Sequence, residues 1–150
     1  MNEGRNTKTQ PITRRQIWRA YKSVKNNGKA AGVDDISLKE FATDKEKQLY
    51  KIWNRMASGC YFPPPVKEVE IPKKGGGKRV LGLPTVADRV AQMVVKHQIE
   101  VRFEKMFHED SYGYRPKRNA HDALRATRKR CLEYDWGIDL DIKGFFDHID

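Results

Sequence analysis

Apolar residues in the first third of the chain recur at helical spacing. Thr13 with Gln16 forms a capping box, and Ile17, Tyr21 and Val24 follow at intervals of four and three, which predicts an amphipathic helix ended by Asn26-Asn27-Gly28. Residues 29–36 read as a Gly-containing loop with the acids Asp34 and Asp35. Ser37 with Glu40 opens a short helix through Leu38 and Phe41. Thr43 with Glu46 opens a further one that buries Leu49, Trp53 and Met56 and stops near Gly59. The period then changes. Tyr61-Phe62-Pro63-Pro64-Pro65 excludes a regular helix and predicts an extended connector. Residues 66–71 alternate, Val69 and Ile71 on one face against Glu68 and Glu70 on the other. The loop Lys73-Lys74-Gly75-Gly76-Gly77 separates them from a return strand at 78–83, giving a β-hairpin with a basic tip.

From Pro84-Thr85 to about Phe107 the pattern is helical again, with Val86, Val90, Met93, Val94 and Val101 on a broad apolar face. After a loop at 108–116, Asn119 with Asp122 caps a helix whose core stripe would be Ala120, Leu124, Thr127, Cys131 and Tyr134, with Arg125, Arg128 and Lys129 opposite. Trp136-Gly137 breaks it, and an apolar-alternating acidic strand follows at Asp139–Ile142. The expected class is α+β, and neither an internal repeat nor a low-complexity run is visible.

Composition sharpens this picture. At 150 residues, 38% hydrophobic and 33% charged, the chain is long enough for one ordinary core under a wide charged surface. The net charge of +10 is uneven: residues 101–150 carry 10 Lys/Arg and 10 Asp/Glu, with six of those acids at Glu133 or later. A basic body leading into an acidic tip suits a nucleic-acid binder with a metal site at one end, although a solvated basic surface has the same composition. Cys60 and Cys131 match no zinc or CxxC spacing, so two reduced thiols and a cytoplasmic location are expected. No apolar run is long enough for a transmembrane helix, and Met1 to Gln10 reads as a polar, disordered tail without a signal-peptide core.

The candidate chemistry concentrates in Asp139-Leu-Asp-Ile-Lys-Gly-Phe-Phe-Asp-His-Ile-Asp150. A carboxylate on a short strand beside a bulky aromatic is what nucleotidyl transfer uses: the carboxylate holds Mg²⁺, and the ring probes the sugar of the nucleotide. Asp141 is the candidate metal ligand, with the Ile142 carbonyl as a second oxygen and Asp139 as a supporting acid. Phe146 is placed to clash with a ribose 2′-OH, although Phe145 or Phe146 must also serve the core, because adjacent side chains rarely face the same way. Lys73, Lys74, Lys78 and Arg79 crowd the hairpin, and a guanidinium fork makes Arg79 the best single candidate for a triphosphate. The Gly-rich tip is not a P-loop, since it opens no helix and lacks GK[ST]. Ser111-Tyr-Gly-Tyr-Arg-Pro-Lys-Arg118 interleaves aromatics with cations, as a base-stacking and phosphate-binding loop would, or as a structural loop turning at Gly113 would.

Taken in order, several segments resemble the N-terminal half of a bacterial group II intron reverse transcriptase–maturase. They are Gly28-Lys-Ala-Ala-Gly-Val-Asp-Asp-Ile-Ser37, Tyr61-Phe-Pro-Pro-Pro-Val66, Glu70-Ile-Pro-Lys-Lys-Gly-Gly-Gly-Lys-Arg79, Leu81-Gly-Leu-Pro-Thr85 with Asp88-Arg89, Ser111-Tyr-Gly-Tyr-Arg-Pro116 with Ala120-His-Asp-Ala-Leu124, and Asp141-Ile-Lys-Gly-Phe-Phe-Asp147. The resemblance implies a right-hand polymerase: a tail at 1–12, an N-terminal helical extension at 13–60, fingers at 61–135, and the first palm strand within 136–150. It implies that Asp141 is the first metal-binding aspartate and Phe146 the steric gate, with Asp147 beside the nucleotide. Lys73 and Arg79 would bind the triphosphate, and Leu81, Leu83 and Pro84 would line the templating base pair. Arg115, Arg118, Arg125 and Lys129 would contact RNA, and the loop from Gly28 to Ile36 would cover the template.

Implied partners are template and intron RNA, a DNA primer and a dNTP, with two Mg²⁺ ions in the complete polymerase and no membrane. The family's Tyr-x-Asp-Asp motif, its thumb and its maturase domain are absent from these 150 residues. The chain alone is therefore expected not to polymerise, since one aspartate cannot hold two ions. A homodimer or aggregate through exposed fingers surface is expected. Asp35 stands where many relatives have glycine. The alternatives are a non-catalytic RNA-binding module and another bacterial reverse transcriptase, of a retron, diversity-generating or CRISPR-linked kind.

Overall fold

The computed structural model describes residues 11–26, 30–73 and 75–148. The expected tail at 1–10, the helix stop at Asn27-Gly28, and Lys74 lie outside the described residues, as do the side chains of Phe146 and Asp147. In chain order the elements are α1 (Arg14–Asn26), α2 (Leu38–Thr43), α3 (Lys45–Ala57), β1 (Lys67–Pro72), β2 (Lys78–Leu83), α4 (Val86–Phe103), α5 (Ala120–Cys131) and a 3₁₀ turn, Phe145–His148. The chain divides into two compact units, one running to Arg102 and one from Phe103.

In the first unit, Ile17, Ala20, Tyr21 and Val24 form the buried stripe of α1, as their spacing predicts. They join Leu38 and Phe41 of α2, Leu49, Ile52 and Met56 of α3, and Val86, Val90, Ala91 and Val94 of α4 in one core. Trp53 packs against this core, and its Nε1–H donates to the Ile12 carbonyl at 2.9 Å. The Thr13–Gln16 and Ser37–Glu40 capping boxes both close: Gln16 N–H donates to Thr13 Oγ1 at 3.3 Å and Glu40 N–H to Ser37 Oγ at 3.2 Å. In return, the Ser37 backbone N–H donates to the Glu40 carboxylate, which holds that carboxyl below its ordinary pKa. The Thr43–Glu46 box does not form. Thr43 is the last residue of α2, where its hydroxyl donates to the Lys39 carbonyl at 3.3 Å, and Asp44 starts α3 without a side-chain cap.

β1 and β2 pair antiparallel, with Val69 opposite Leu81 and Ile71 opposite Arg79. The alternation holds, Val69 and Ile71 being half-buried between exposed neighbours. Gly76 and Gly77 take positive φ at the tip, where the Lys73 N–H donates to the Gly77 carbonyl at 3.0 Å.

Three further expectations are corrected. α4 ends at Phe103 instead of Phe107, because the chain turns there with Met106 N–H donating to the Phe103 carbonyl, and Val101 is exposed. The α5 capping box closes, yet none of the α5 residues is buried, so Ala120, Leu124, Thr127 and Cys131 form no core stripe. A helix buries a stripe only against a facing apolar surface, and within the second unit the described residues offer no second long element. The acidic segment 138–142 is irregular and exposed instead of a first palm strand, since among the described residues no strand edge pairs with it.

Candidate nucleic-acid interface

The hairpin register sorts the predicted nucleotide-binding residues. Directly paired residues share a face, so Lys67, Val69, Ile71, Arg79, Leu81 and Leu83 lie on one side and Glu68, Glu70, Pro72, Lys78, Val80 and Gly82 on the other. Arg79, Leu81 and Leu83, assigned separately to triphosphate and templating base, are therefore brought onto one face. Lys78 is on the opposite face, in an exposed ion pair with Glu70 at 2.5 Å. Among the described residues Arg79 has no ion pair, and Lys73 sits exposed beside the turn. The strands thus separate a committed cation from an available one.

The loop at 30–36 is fastened to the base of this hairpin. Gly32 is buried against Pro84-Thr85, where a Cβ would stand 2.6 Å from the Thr85 Cα. The Arg89 guanidinium donates to the Ala30 carbonyl. Asp34 Oδ1 accepts from Ile36 N–H at 3.3 Å, and the Lys67 ammonium meets Asp35 Oδ1 at 2.6 Å. Asp35 has φ +52°, a left-handed conformation that glycine takes freely and aspartate tolerates. Beneath, the Tyr61 hydroxyl donates to Asp88 Oδ1 at 3.0 Å, Gln92 Nε2 donates to Oδ2 at 2.8 Å, and Asp88 N–H donates to Thr85 Oγ1 at 3.1 Å. Burial, and then the Asp88 charge, push the Tyr61 hydroxyl well above its ordinary pKa. This part-buried network ties the proline connector to the first turns of α4, just after Leu83 and Pro84.

In the second unit Arg115 is taken up by its own loop. Its Nη1 donates to the His108 and Ser111 carbonyls, each at 2.8 Å, and its Nη2 to Glu104 Oε1 at 2.7 Å, while the guanidinium lies 5.1 Å from the Phe107 ring centre. The hydrogen bond from Arg115 holds the Glu104 carboxyl below the usual carboxylate range. Arg118 is exposed over the Tyr112 ring at 5.4 Å. Arg125 pairs with Asp122 on α5, and Lys129 is exposed in its last turn. Asp141 and Ile142 are exposed in the irregular segment, and Phe146 and Asp147 fall within the 3₁₀ turn.

Oxygen donors such as the Asp141 carboxylate and the Ile142 carbonyl suit a hard divalent cation. Their number does not: no cluster of three His, Cys, Asp or Glu exists among the described residues, so these residues alone do not fit a two-ion centre.

Sequence reasoning missed Lys51, Arg55 and Phe62, which line one cleft of the first unit. The signal was present as two cations four residues apart off the apolar stripe of α3, and an aromatic ahead of a proline run.

Residues 71–150 match the model of the reverse transcriptase (RNA-dependent DNA polymerase) family, which is more than half of the chain, and the chain belongs to that family. It is 36% identical over 134 residues to the group II intron-encoded protein LtrA of Lactococcus lactis subsp. cremoris, covering 87% of this chain and 22% of that protein. It is 32% identical over 123 residues to the protein YkfC of Escherichia coli (strain K12), covering 79% of this chain and 32% of that one. It is also 34% identical over 79 residues to nuclear intron maturase 1, mitochondrial, of Arabidopsis thaliana, covering 51% of this chain and 11% of that protein. The resemblance to group II intron reverse transcriptases read from the motifs is borne out, and the α+β class with it. No helix among the described residues is long and apolar enough to cross a membrane.

Proposed function

We propose that this chain supplies the fingers and the start of the palm of a group II intron-type RNA-directed DNA polymerase, working in the cytoplasm on template and intron RNA, a DNA primer and dNTPs. The observation that carries this reading is the family match over residues 71–150, which runs from the hairpin to the Asp141 segment. The shared face of Arg79, Leu81 and Leu83 supports it, because a triphosphate ligand and a base-pair platform must be neighbours.

In this reading Lys73 and Arg79 bind the triphosphate, and Leu81, Leu83 and Pro84 line the templating pair. Phe146 screens the sugar, with Asp147 beside the nucleotide. Asp141 is the catalytic carboxylate, and it and the Ile142 carbonyl would supply two of the oxygens that hold Mg²⁺ in the complete polymerase, where further carboxylates would be needed. Arg118 and Lys129 contact RNA phosphate. Arg115 and Arg125 act there only if RNA displaces their carboxylate partners. The loop at 30–36 covers the template.

The test is RNA affinity against salt. Each phosphate contact on a single strand steepens the log–log fall by ~0.7. A fall equivalent to several contacts is expected, and a flat response contradicts the reading.

A further inference from the structure

A cleft of about 240 Å³ opens in the first unit between the 33–34 loop, α3, the proline connector and the start of α4. Of the roles assigned above, only that of the 30–36 loop borders it, and Lys51, Arg55 and Phe62 have none. Phe62 lines it while remaining 82% exposed, which no core requirement explains. Its backbone is held on both sides: Tyr61 is tied to Asp88, and Pro63 restricts the residue before it to extended conformations. Val33, itself 47% exposed, contributes a second apolar surface, and Gly32 seats its loop on Thr85. Lys51 and Arg55 also line the cleft. They lie one turn apart on α3, both exposed, and neither has an ion pair among the described residues.

We propose that this cleft binds one unpaired nucleotide of a single-stranded nucleic acid, the base against Phe62 and Val33 and the flanking phosphates on Lys51 and Arg55. A solvent-facing ring on a restrained backbone can stack on any base, because every base has a π-face. Two cations at helical spacing, with Cβ atoms ~5–6 Å apart, match the scale of successive phosphates on a strand. A protein partner would need a carboxylate placed opposite each cation and an apolar group on the ring between them, whereas a strand carries an anion at every residue. The cleft is of a size for one base and part of its sugar, not for a helix. The inference rests on the nucleic-acid half of the proposed function and not on catalysis.

The experiment measures fluorescence anisotropy of a short labelled single-stranded RNA, and of DNA of the same sequence, bound to this chain over a salt series. Phe62→Ala is expected to weaken binding about tenfold with an unchanged salt slope, and Phe62→Trp to restore it. Lys51→Ala with Arg55→Ala is expected to reduce the slope by ~1.4, the contribution of two single-strand phosphate contacts. Circular dichroism checks that each variant is folded, which the exposure of all three positions favours. Equal loss on RNA and DNA supports stacking with phosphate contact, and loss on one of them supports the site and identifies its strand. Wild-type affinity in Phe62→Ala on both strands overturns the site even when overall binding is steeply salt-dependent and the proposed function stands. Absence of any binding by the wild-type chain overturns both.

Discussion

Gly32 approaches Thr85 so closely that a single added methyl group would stand 2.6 Å from its Cα and 2.7 Å from its amide nitrogen. The contact joins the 30–36 loop to the peptide that ends the hairpin and begins α4. Gly32→Ala must therefore move the backbone, at a cost of about 1–3 kcal/mol by analogy with overpacked cores. Gly75→Ala, with nothing within 4 Å of the new Cβ, is the matched control and should leave stability nearly unchanged. Urea unfolding of both variants decides the point. Equal midpoints would show that the loop is not seated on Thr85.

Tyr61→Phe removes the hydroxyl that donates to Asp88, a residue only 4% exposed, and leaves a buried carboxylate oxygen short of a donor. A loss of about 1–3 kcal/mol is expected from the same unfolding assay. Spectrophotometric titration gives an independent readout. One tyrosine of the wild-type chain should stay protonated through the pH range in which an exposed tyrosine ionises, and Tyr61→Phe should abolish that lag.

Arg115 organises its loop by bonding Glu104, His108 and Ser111 together. Because the folded-state pKa of Glu104 is depressed, the stability this pair contributes is present above the unfolded carboxylate value of about 4.3 and is lost as pH falls through the lower folded value. Arg115→Met should thus exchange amide hydrogens faster over 104–111 at neutral pH, and its difference from wild type should narrow as pH falls below the ordinary carboxylate range, leaving the part carried by the His108 and Ser111 carbonyls. A gap independent of pH would mean that the Glu104 pair contributes nothing and that the guanidinium acts through the His108 and Ser111 carbonyls and Phe107 alone.

Asp35 stands at φ +52° with Lys67 against its carboxylate. Asp35→Gly relieves the left-handed backbone while removing an exposed ion pair worth ~0–1 kcal/mol, so the two effects should nearly cancel. Asp35→Val cannot take that φ without strain and should cost ~1–3 kcal/mol. If valine is tolerated as well as glycine at this position, the loop does not hold the turn described.

The first unit was legible in sequence because its helices carry their own information. The Ile17-Tyr21-Val24 stripe, the Ser37–Glu40 box and the Glu68–Ile71 alternation are each set by residues within one turn or one strand. Thr43–Glu46 misled because the same short pattern fits two helix boundaries, and the Lys39 carbonyl took the hydroxyl. The second unit was less legible, because a stripe or an alternation states what a segment can bury and not whether a partner is there. Leu124 and Ile142 are apolar in the expected rhythm and remain exposed. At the site, the types and order of Lys73, Arg79, Leu81 and Leu83 were readable. That Lys78 pairs with Glu70, that Arg115 braces its own loop and that Phe62 projects into a cleft needed the tertiary structure, since each depends on residues distant in sequence or on backbone direction.

The most direct measurement is primer extension on an RNA template with dNTPs and Mg²⁺ by the full gene product, wild type against Asp141→Asn. Asparagine keeps the size of the side chain and removes the charge that would hold the cation. Extension should fall by several orders of magnitude while RNA affinity and its salt slope stay at wild-type values. Extension that survives Asp141→Asn unchanged would contradict the assignment of this chain to the catalytic end of a reverse transcriptase.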